Sequence, residues 1–263
     1  MKKKKKKKKK ILLAAVVGLT VCSPVCLTSC CSHYAVTSAE ITRVPIDKNV
    51  TADAEALQLI APYRGGVDSM MSQVLGRAEM MMDRTRPESP LGNLIAEVLR
   101  LSGSKVLGHP ADFSVMNVGG MRRELEAGNI TMAEAFEILP FENSLCVLTM
   151  TGRQVKGVLR NISQRGGEAI SGGRLTIDGH GGFSDATIQG QPIDDNRLYT
   201  VATIDYLAEG NDGMTGLLDF EDKVCPEGMT LRGLFIEWVQ QQTAEGRTVT
   251  SALDGRLKIE DNN

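Results

Sequence analysis

Three short stretches of the chain combine side chains that suit the recognition of a flat, polar ligand. The first, NVGGMR, follows a strand-like run and supplies Asn117, Gly119, Gly120 and Arg122. Glycine lets a backbone approach a ligand closely, and arginine offers a forked, permanently charged donor to phosphate or sugar oxygens. Taken alone, this stretch better fits a tight turn with a solvated arginine.

The second and third stretches add aromatic rings and further polar groups. LPFEN contains Phe141 and Asn143 between a helix-like and a strand-like run, and TIDYLAEGNDGM contains Tyr206 and Asp212. In isolation each has a simpler interpretation. The second would be a core phenylalanine with a turn asparagine, and the third a turn in which glycines flank an aspartate.

Together the three stretches contain the parts of a nucleotide site. Two aromatic rings on separate loops can stack on a base, which contributes about 1–3 kcal/mol per base. An asparagine amide offers a donor and an acceptor to a base edge, and a carboxylate can accept both hydroxyls of a ribose. The sequence therefore predicts that Phe141, Tyr206, Asn117 and Asp212 surround a nucleoside, with Arg122 on its phosphate side.

Residues suited to hydrolytic chemistry are scarce. Hydrolysis assisted by two metals needs a cluster of His, Asp and Asn ligands, but His33, His109 and His180 have no partner at ligand spacing and are expected in solvated segments. No Gly-x-Ser-x-Gly motif or P-loop occurs, and the glycines of SGGR alone are a weak phosphate signal. We expect no catalytic residue, metal or other cofactor in this chain.

The N-terminus has the features of an export signal. Nine lysines precede the apolar run ILLAAVVGLTV, which is shorter than the roughly 20 residues of a membrane-spanning helix. LTSC at 27–30 resembles the bacterial lipobox, which implies cleavage before Cys30 and lipid attachment there; the alternative is an ordinary signal peptide with an incidental cysteine. We expect a signal over 1–29, a tether over 30–52 and a folded domain over 53–263.

Removal of that signal changes the charge of the chain. The remaining residues contain 21 bases and 32 acids, a net charge of −11. Because domains that bind nucleic acid show a basic footprint, no nucleic-acid polymer is expected as a partner. We expect an exported protein that faces the periplasm and contacts a bacterial membrane only through its lipid anchor.

Two cysteines, Cys146 and Cys225, lie outside the N-terminal region. An exported protein can form a disulfide between them. A pair of buried thiols fits the sequence at least as well.

The elements around these stretches are a mixture of strands and helices. A helical pattern from Asp53 has apolar residues on one face, and Pro62 with the Gly65–Gly66 pair predicts a kink or two helices. A strand should follow Met80. Further helices are predicted over 92–101, 131–138, 152–162 and 229–242, and strands over 111–117, 144–150, 168–178, 183–189 and before Tyr206. Without regular βα alternation, this order predicts an α+β fold with mixed sheets flanked by helices.

Five longer blocks, taken in order, resemble one known family. They are SPLGNLIAEVL, ADFSVMNVGGMRRELEAGNITMAEAFEILPFEN, LTMTGRQVKGVL, ISGGRLTID and YTVATIDYLAEGNDGM. Over about residues 53–260 the chain resembles the C-terminal domain of the 5′-nucleotidase / UDP-sugar hydrolase family. That resemblance implies a nucleoside-binding domain with this fold.

The resemblance also implies roles for individual residues. Phe141 and Tyr206 match the two aromatics that stack on the base, with Tyr206 where the family usually has Phe. NVGGMR matches the family's Asn-x-Gly-Gly-x-Arg loop. Asp212 matches the ribose-binding acid, although Asn211 replaces a usual glycine. Either Arg84 or Arg86 matches an upstream family arginine.

In that family a separate N-terminal metallophosphatase domain binds two metals and hydrolyses the phosphate ester. The signal leaves no room for it before the domain, so we expect the substrate-binding half encoded alone and inactive by itself. It would act with a separate metallophosphatase chain in nucleotide catabolism or salvage. The alternatives are a membrane-tethered nucleotide or nucleoside receptor and a degenerate domain with an unused pocket.

Overall fold

The computed structural model describes residues 36–260, and the chain divides into two units, Met1–Asp53 and Ala54–Asn263. Residues 36–53 of the first unit are exposed and contain no helix or strand. The predicted signal, the proposed lipidation site Cys30 and His33 lie outside the described residues. Among residues 36–260, no helix combines the length and the apolar composition needed to cross a membrane.

The second unit alternates irregularly between helices and strands. Its α-helices, within the described residues, are α1 (Ala54–Met71), α2 (Pro90–Leu107), α3 (Met132–Ile138), α4 (Gly152–Gln164), α5 (Asp205–Ala208) and α6 (Leu231–Ala244). Its strands are β1 (Val74–Ala78), β2 (Phe113–Met116), β3 (Gly128–Thr131), β4 (Leu145–Thr151), β5 (Ala169–Ser171), β6 (Gly173–Ile177), β7 (Phe183–Ile188), β8 (Gln191–Pro192), β9 (Leu198–Ile204), β10 (Asp222–Val224) and β11 (Leu257–Ile259).

The strands form three sheets. A central sheet has the order β10-β4-β9-β2-β5, a second has the order β11-β6-β7-β8, and β1 pairs with β3 alone. β2 runs parallel to β9 and β11 runs parallel to β6, whereas the other pairs are antiparallel. The predicted α+β fold, with mixed sheets flanked by helices, is confirmed.

Capping residues set the starts of the helices on either side of β4. Thr131 accepts a hydrogen bond from the Glu134 amide at 3.2 Å, and the Glu134 carboxylate accepts one from the Thr131 amide at 2.7 Å. This reciprocal pair of hydrogen bonds is a capping box at the start of α3. Thr151 forms the same arrangement with Gln154 before α4, so both helices start at defined residues.

The core lies between the helices and the central sheet. β2 is buried along its whole length. A Cβ on Gly103 of α2 would lie 2.8 Å from the Ala202 Cβ of β9, so glycine permits the close contact between this helix and the sheet. The largest fully buried side chains include Tyr199, Phe113, Phe235, Met82, Leu91 and Ile95.

The start of this unit differs in two respects from the elements predicted there. Pro62 and the glycine pair do not divide the segment into two helices, since α1 is continuous over 18 residues with Pro62 inside it. The apolar face of α1 is not buried, since the helix buries none of its residues. A helical period indicates which face is apolar and not whether another element covers it. The strand predicted after Met80 lies earlier, as β1, which begins at Val74.

Cys146 and Cys225 form a disulfide, with 4.2 Å between their Cα atoms. Cys146 is buried in β4, and Cys225 directly follows β10, which pairs with β4. Of the two interpretations left open by the sequence, the structure has the disulfide. It closes a loop with a sequence separation of 79.

We expect the double replacement Cys146→Ala/Cys225→Ala to lower the free energy of unfolding by about 2–4 kcal/mol, because the bridge restricts the unfolded chain. Urea titrations of the oxidised wild type and the variant measure this difference. A reductant should destabilise the wild type by a similar amount and leave the variant unchanged. Equal stability of the oxidised and reduced wild type would contradict the expectation.

Candidate functional site

The strand register brings the three predicted loops to one edge of the central sheet. β2 and β9 are parallel neighbours, with Phe113 opposite Val201, so their carboxyl ends point to the same edge. β4 is antiparallel to β9, and its first residue, Leu145, pairs with Ile204 at the end of β9. The residues after β2, after β9 and before β4 therefore lie close together.

All eight residues that the sequence predicts for the site line one cavity of about 330 Å³ at this edge. The loop after β2, the segment before β4 and the segment after β9 each contribute. In chain order these residues are Asn117, Gly119, Gly120, Arg122, Phe141, Asn143, Tyr206 and Asp212. Their convergence is a geometric fact, whereas their roles in binding a ligand stay predictions.

Two aromatic rings supply the apolar part of the cavity. Phe141 is 46% exposed and Tyr206 is 38% exposed, although large aromatic side chains usually find cover in a folded domain. The Arg122 guanidinium lies over the Phe141 ring, with Cζ 5.4 Å from the ring centroid. Its Nη1 donates to the Gly119 carbonyl at 3.1 Å. These two contacts orient the arginine beside the cavity.

Asp212 is the centre of the hydrogen bonding in the cavity. Its Oδ2 accepts from Asn117 Nδ2 at 2.6 Å, and its Oδ1 accepts from the Tyr206 hydroxyl at 3.1 Å. Nη2 of Arg165 lies 3.6 Å from Oδ2. The hydrogen bond to Asp212, together with its negative charge, raises the pKa of Tyr206 above the usual value. The phenol therefore remains a protonated donor at neutral pH.

The backbone conformation around Asp212 depends on the glycines on either side of it. Gly210, Asp212 and Gly213 have φ values of 76°, 53° and 71°, in the left-handed region that glycine adopts freely and aspartate tolerates better than most residues. Asn211 donates from Nδ2 to the Tyr206 carbonyl at 2.9 Å. Asn211 thus ties the loop to the residue that carries the aromatic ring.

The two glycines of the loop after β2 have different surroundings. A Cβ on Gly120 would lie 2.4 Å from Met116 Cε and 2.9 Å from Asn117 Oδ1. A Cβ on Gly119 would have its nearest neighbours, atoms of Asn117 and Asp212, at 3.8 Å. A side chain at Gly120 would therefore require Met116 and Asn117 to move, while Gly119 leaves open space next to the polar groups.

The two asparagine amides are used differently. Asn143 Nδ2 donates to Asp205 Oδ1 at 3.2 Å. Asn117 is 3% exposed, and within residues 36–260 its buried Oδ1 has no hydrogen-bond partner. An unpaired buried acceptor costs on the order of 1–3 kcal/mol. The side chain of Asn117, which lines the cavity, thus has an acceptor atom that the described residues do not use.

Four residues that contact the predicted set, directly or through Arg165, were missed by the sequence reasoning or left open. Asp205 holds Asn143, and Arg165 reaches Asp212. Glu168 binds Arg165 and also Arg86, one of the two upstream arginines considered. The stretch SQRGGE offered a signal, because it places an arginine and a glutamate three residues apart around a glycine pair.

The other candidate groups lie elsewhere. His109 and His180 are on exposed segments, and within residues 36–260 no group of three or more His, Cys, Asp or Glu side chains could hold a metal ion. Gly172, Gly173 and Arg174 of SGGR line a separate polar cavity. The second glycine-rich stretch is therefore not part of the site at the end of β2 and β9.

We expect Gly120→Ala to lower the free energy of unfolding by about 1–3 kcal/mol, because the added methyl group overpacks against Met116 and Asn117. Gly119→Ala is the matched control and should leave stability nearly unchanged, since its methyl group meets only ordinary contacts. Urea titration of both variants measures the difference. A Gly119→Ala variant as destabilised as Gly120→Ala would show that the loop rejects any side chain.

Comparison with known proteins assigns this domain to a family. The model described as "5'-nucleotidase, C-terminal domain" matches residues 71–219, more than half of the chain. Protein UshA of Yersinia enterocolitica is 30% identical over 180 residues, which are 65% of this chain and 32% of that protein. The trifunctional nucleotide phosphoesterase protein YfkN of Bacillus subtilis is 24% identical over 241 residues, 84% of this chain and 16% of YfkN. The chain spans a third or less of the length of these curated relatives.

Solved structures share the fold. The 5′-nucleotidase precursor from Thermus thermophilus superposes with a TM-score of 0.69 at 26% identity, over 80% of this chain and 44% of that chain. The NAD nucleotidase NadN of Haemophilus influenzae gives a TM-score of 0.61 at 23% identity, over 80% of this chain and 42% of that one. Sequence and fold agree, and the chain belongs to the 5′-nucleotidase C-terminal domain family.

Proposed function

We propose that this chain binds a nucleotide or nucleoside as the substrate-binding part of a 5′-nucleotidase-type phosphohydrolase. Membership of the family supplies the general class. The single observation that carries the proposal is the meeting of all eight predicted residues around one cavity. Its volume of about 330 Å³ falls within the range of small-molecule sites.

The side chains around the cavity suit each part of a nucleotide. The exposed rings of Phe141 and Tyr206 would stack on the base, since base–aromatic stacking needs only a free π-face. Asp212 would receive ribose hydroxyls, because a carboxylate has about four acceptor positions and the protein does not use all of them. Arg122 would donate to the phosphate, as a preoriented guanidinium loses little entropy on binding an oxyanion.

In this proposal the phosphate ester is hydrolysed by a metallophosphatase unit outside residues 54–260, with two divalent metals and an activated water. Two features support the assignment of binding to this chain and of hydrolysis to a separate unit. The resemblance assigns the metals to the family's other domain, and relatives such as UshA are about three times as long as the part that matches this chain. The residues of this chain bind and orient the nucleotide, and none of them is assigned a proton-transfer step.

We expect calorimetry to detect binding of adenosine and AMP, and Tyr206→Ala or Phe141→Ala to weaken it by about 5- to 150-fold through lost stacking. Tyr206→Phe keeps the ring and should retain most of the affinity. Tyr63→Ala, which removes a 74% exposed tyrosine of α1, is the matched control. No detectable binding by the wild type would contradict the proposal and favour an unused pocket.

We expect the purified chain alone to release no phosphate from AMP, and its addition to a metallophosphatase domain of the same family to accelerate release. The reason is that one unit supplies orientation and the other supplies metals. Phosphate release by the mixture and by each protein alone is the measurement. If the mixture is no faster than the metallophosphatase alone, the remaining function for this chain is that of a nucleotide receptor. EDTA-sensitive phosphate release by the chain alone would contradict the assignment of hydrolysis to a separate unit.

A further inference from the structure

A fully buried carboxylate lies next to the candidate cavity. Glu168 is 0% exposed and accepts hydrogen bonds from three separate segments. Its Oε1 accepts from Arg86 Nη2 at 2.6 Å and from Arg165 Nε at 2.5 Å, and its Oε2 accepts from the Val118 amide at 2.5 Å. One side chain thus connects the segment before α2, the end of α4 and the loop after β2.

Such an arrangement is not explained by stability alone. Removing a carboxylate from water costs several kcal/mol, and its partners often only offset that cost. None of Glu168, Arg165 and Arg86 lines the cavity, so they do not belong to the predicted ligand contacts. A buried charge with fixed partners holds its neighbouring segments in one geometry. Glu168 and its two arginines can therefore position those segments in addition to stabilising the fold.

Arg165 connects the buried carboxylate to the site. It follows α4 as its C-terminal cap and is partly exposed. Its Nε donates to Glu168, while its Nη2 lies 3.6 Å from Asp212 Oδ2. The same Asp212 oxygen accepts from Asn117, the residue directly before Val118.

These contacts form a closed ring. From Glu168 the ring runs to the Val118 amide, along the backbone to Asn117, across a side-chain hydrogen bond to Asp212, and back through Arg165. Two of its members, Asn117 and Asp212, line the cavity. The ring therefore fixes the distance between the loop after β2 and the loop after β9 at the point where the polar groups of the cavity lie.

We propose that Arg165 and Glu168 are positioning residues that hold the Asp212 carboxylate and the Asn117 amide in place for a ligand with a cis-diol, and so favour ribonucleosides over deoxy forms. This inference rests on the proposed function. Preorganised acceptors strengthen hydrogen bonds to a ligand because no reorganisation occurs on binding. Loss of Arg165 releases one side of Asp212 and reduces the contribution of the ribose hydroxyls.

The first test needs no ligand. NMR spectra of Arg165→Met, which keeps a linear side chain without its donors, should show shifts of the Asn117 side-chain amide and the Val118 amide relative to the wild type. Arg160→Met is the matched control, because Arg160 lies exposed on the same helix, and should leave both signals in place. Unchanged signals in Arg165→Met would overturn the proposal.

The second test compares adenosine with 2′,3′-dideoxyadenosine by calorimetry. The wild type should prefer adenosine by about tenfold or more, the effect expected of hydrogen bonds to a charged group. Arg165→Met and Glu168→Gln should reduce that preference at least threefold, with little change for the dideoxy ligand, and Arg165→Lys should restore part of it. Arg160→Met should keep the wild-type preference.

The outcomes separate positioning from a purely structural role. Equal losses for both ligands would show that the ring only stabilises the fold and would overturn the proposal. If the wild type binds neither nucleoside, the proposed function fails, and the NMR comparison decides the positioning role alone. A cooperative thermal unfolding transition shows that a variant is folded. If Arg165→Met is not folded, Arg165→Lys is used in its place.

Discussion

The pairing of β9 with both β2 and β4 is the constraint on which the candidate site depends. Because β2 is parallel to β9 and β4 is antiparallel to it, three loops that are distant in sequence reach one edge of the sheet. A shift of one residue in either pairing would reverse the side-chain directions along that strand. The buried faces of β2 and β9 prevent such a shift, so the packing of the core fixes the geometry of the cavity.

The cavity is organised before any ligand enters it. Asp212 already has donors on both oxygens, and Arg122 is already oriented by Phe141 and the Gly119 carbonyl. Binding would therefore require little rearrangement of these polar groups. The unsatisfied atom among them, Asn117 Oδ1, leaves a buried acceptor unused, as is common where a protein gives up some stability for recognition.

The convergence of the eight cavity residues could be predicted from sequence because the loops that carry them follow or precede strong strand signals, as NVGGMR follows FSVM and Tyr206 comes shortly after VATI. SQRGGE shows that Arg165 and Glu168 are spaced to pair with each other, but it could not place them beside the cavity, because their contacts with Arg86, Val118 and Asp212 are set by packing between segments far apart in the chain. The periodicity before β1 predicted a helix with one apolar face, but it could not show whether another element covers that face. The short strand β10 has no alternating pattern, and without its pairing to β4 the sequence could not decide between a disulfide and two thiols.

The exposure of α1 has a thermodynamic consequence for the domain. Since none of its 18 residues is buried, melting this helix removes little of the apolar area that the domain buries. An isolated helix of this length is marginal in water, and Pro62 with two glycines weakens it further. Residues 54–71 can therefore open and close many times within the lifetime of the folded domain, so amide exchange there reports on the segment and not on global unfolding.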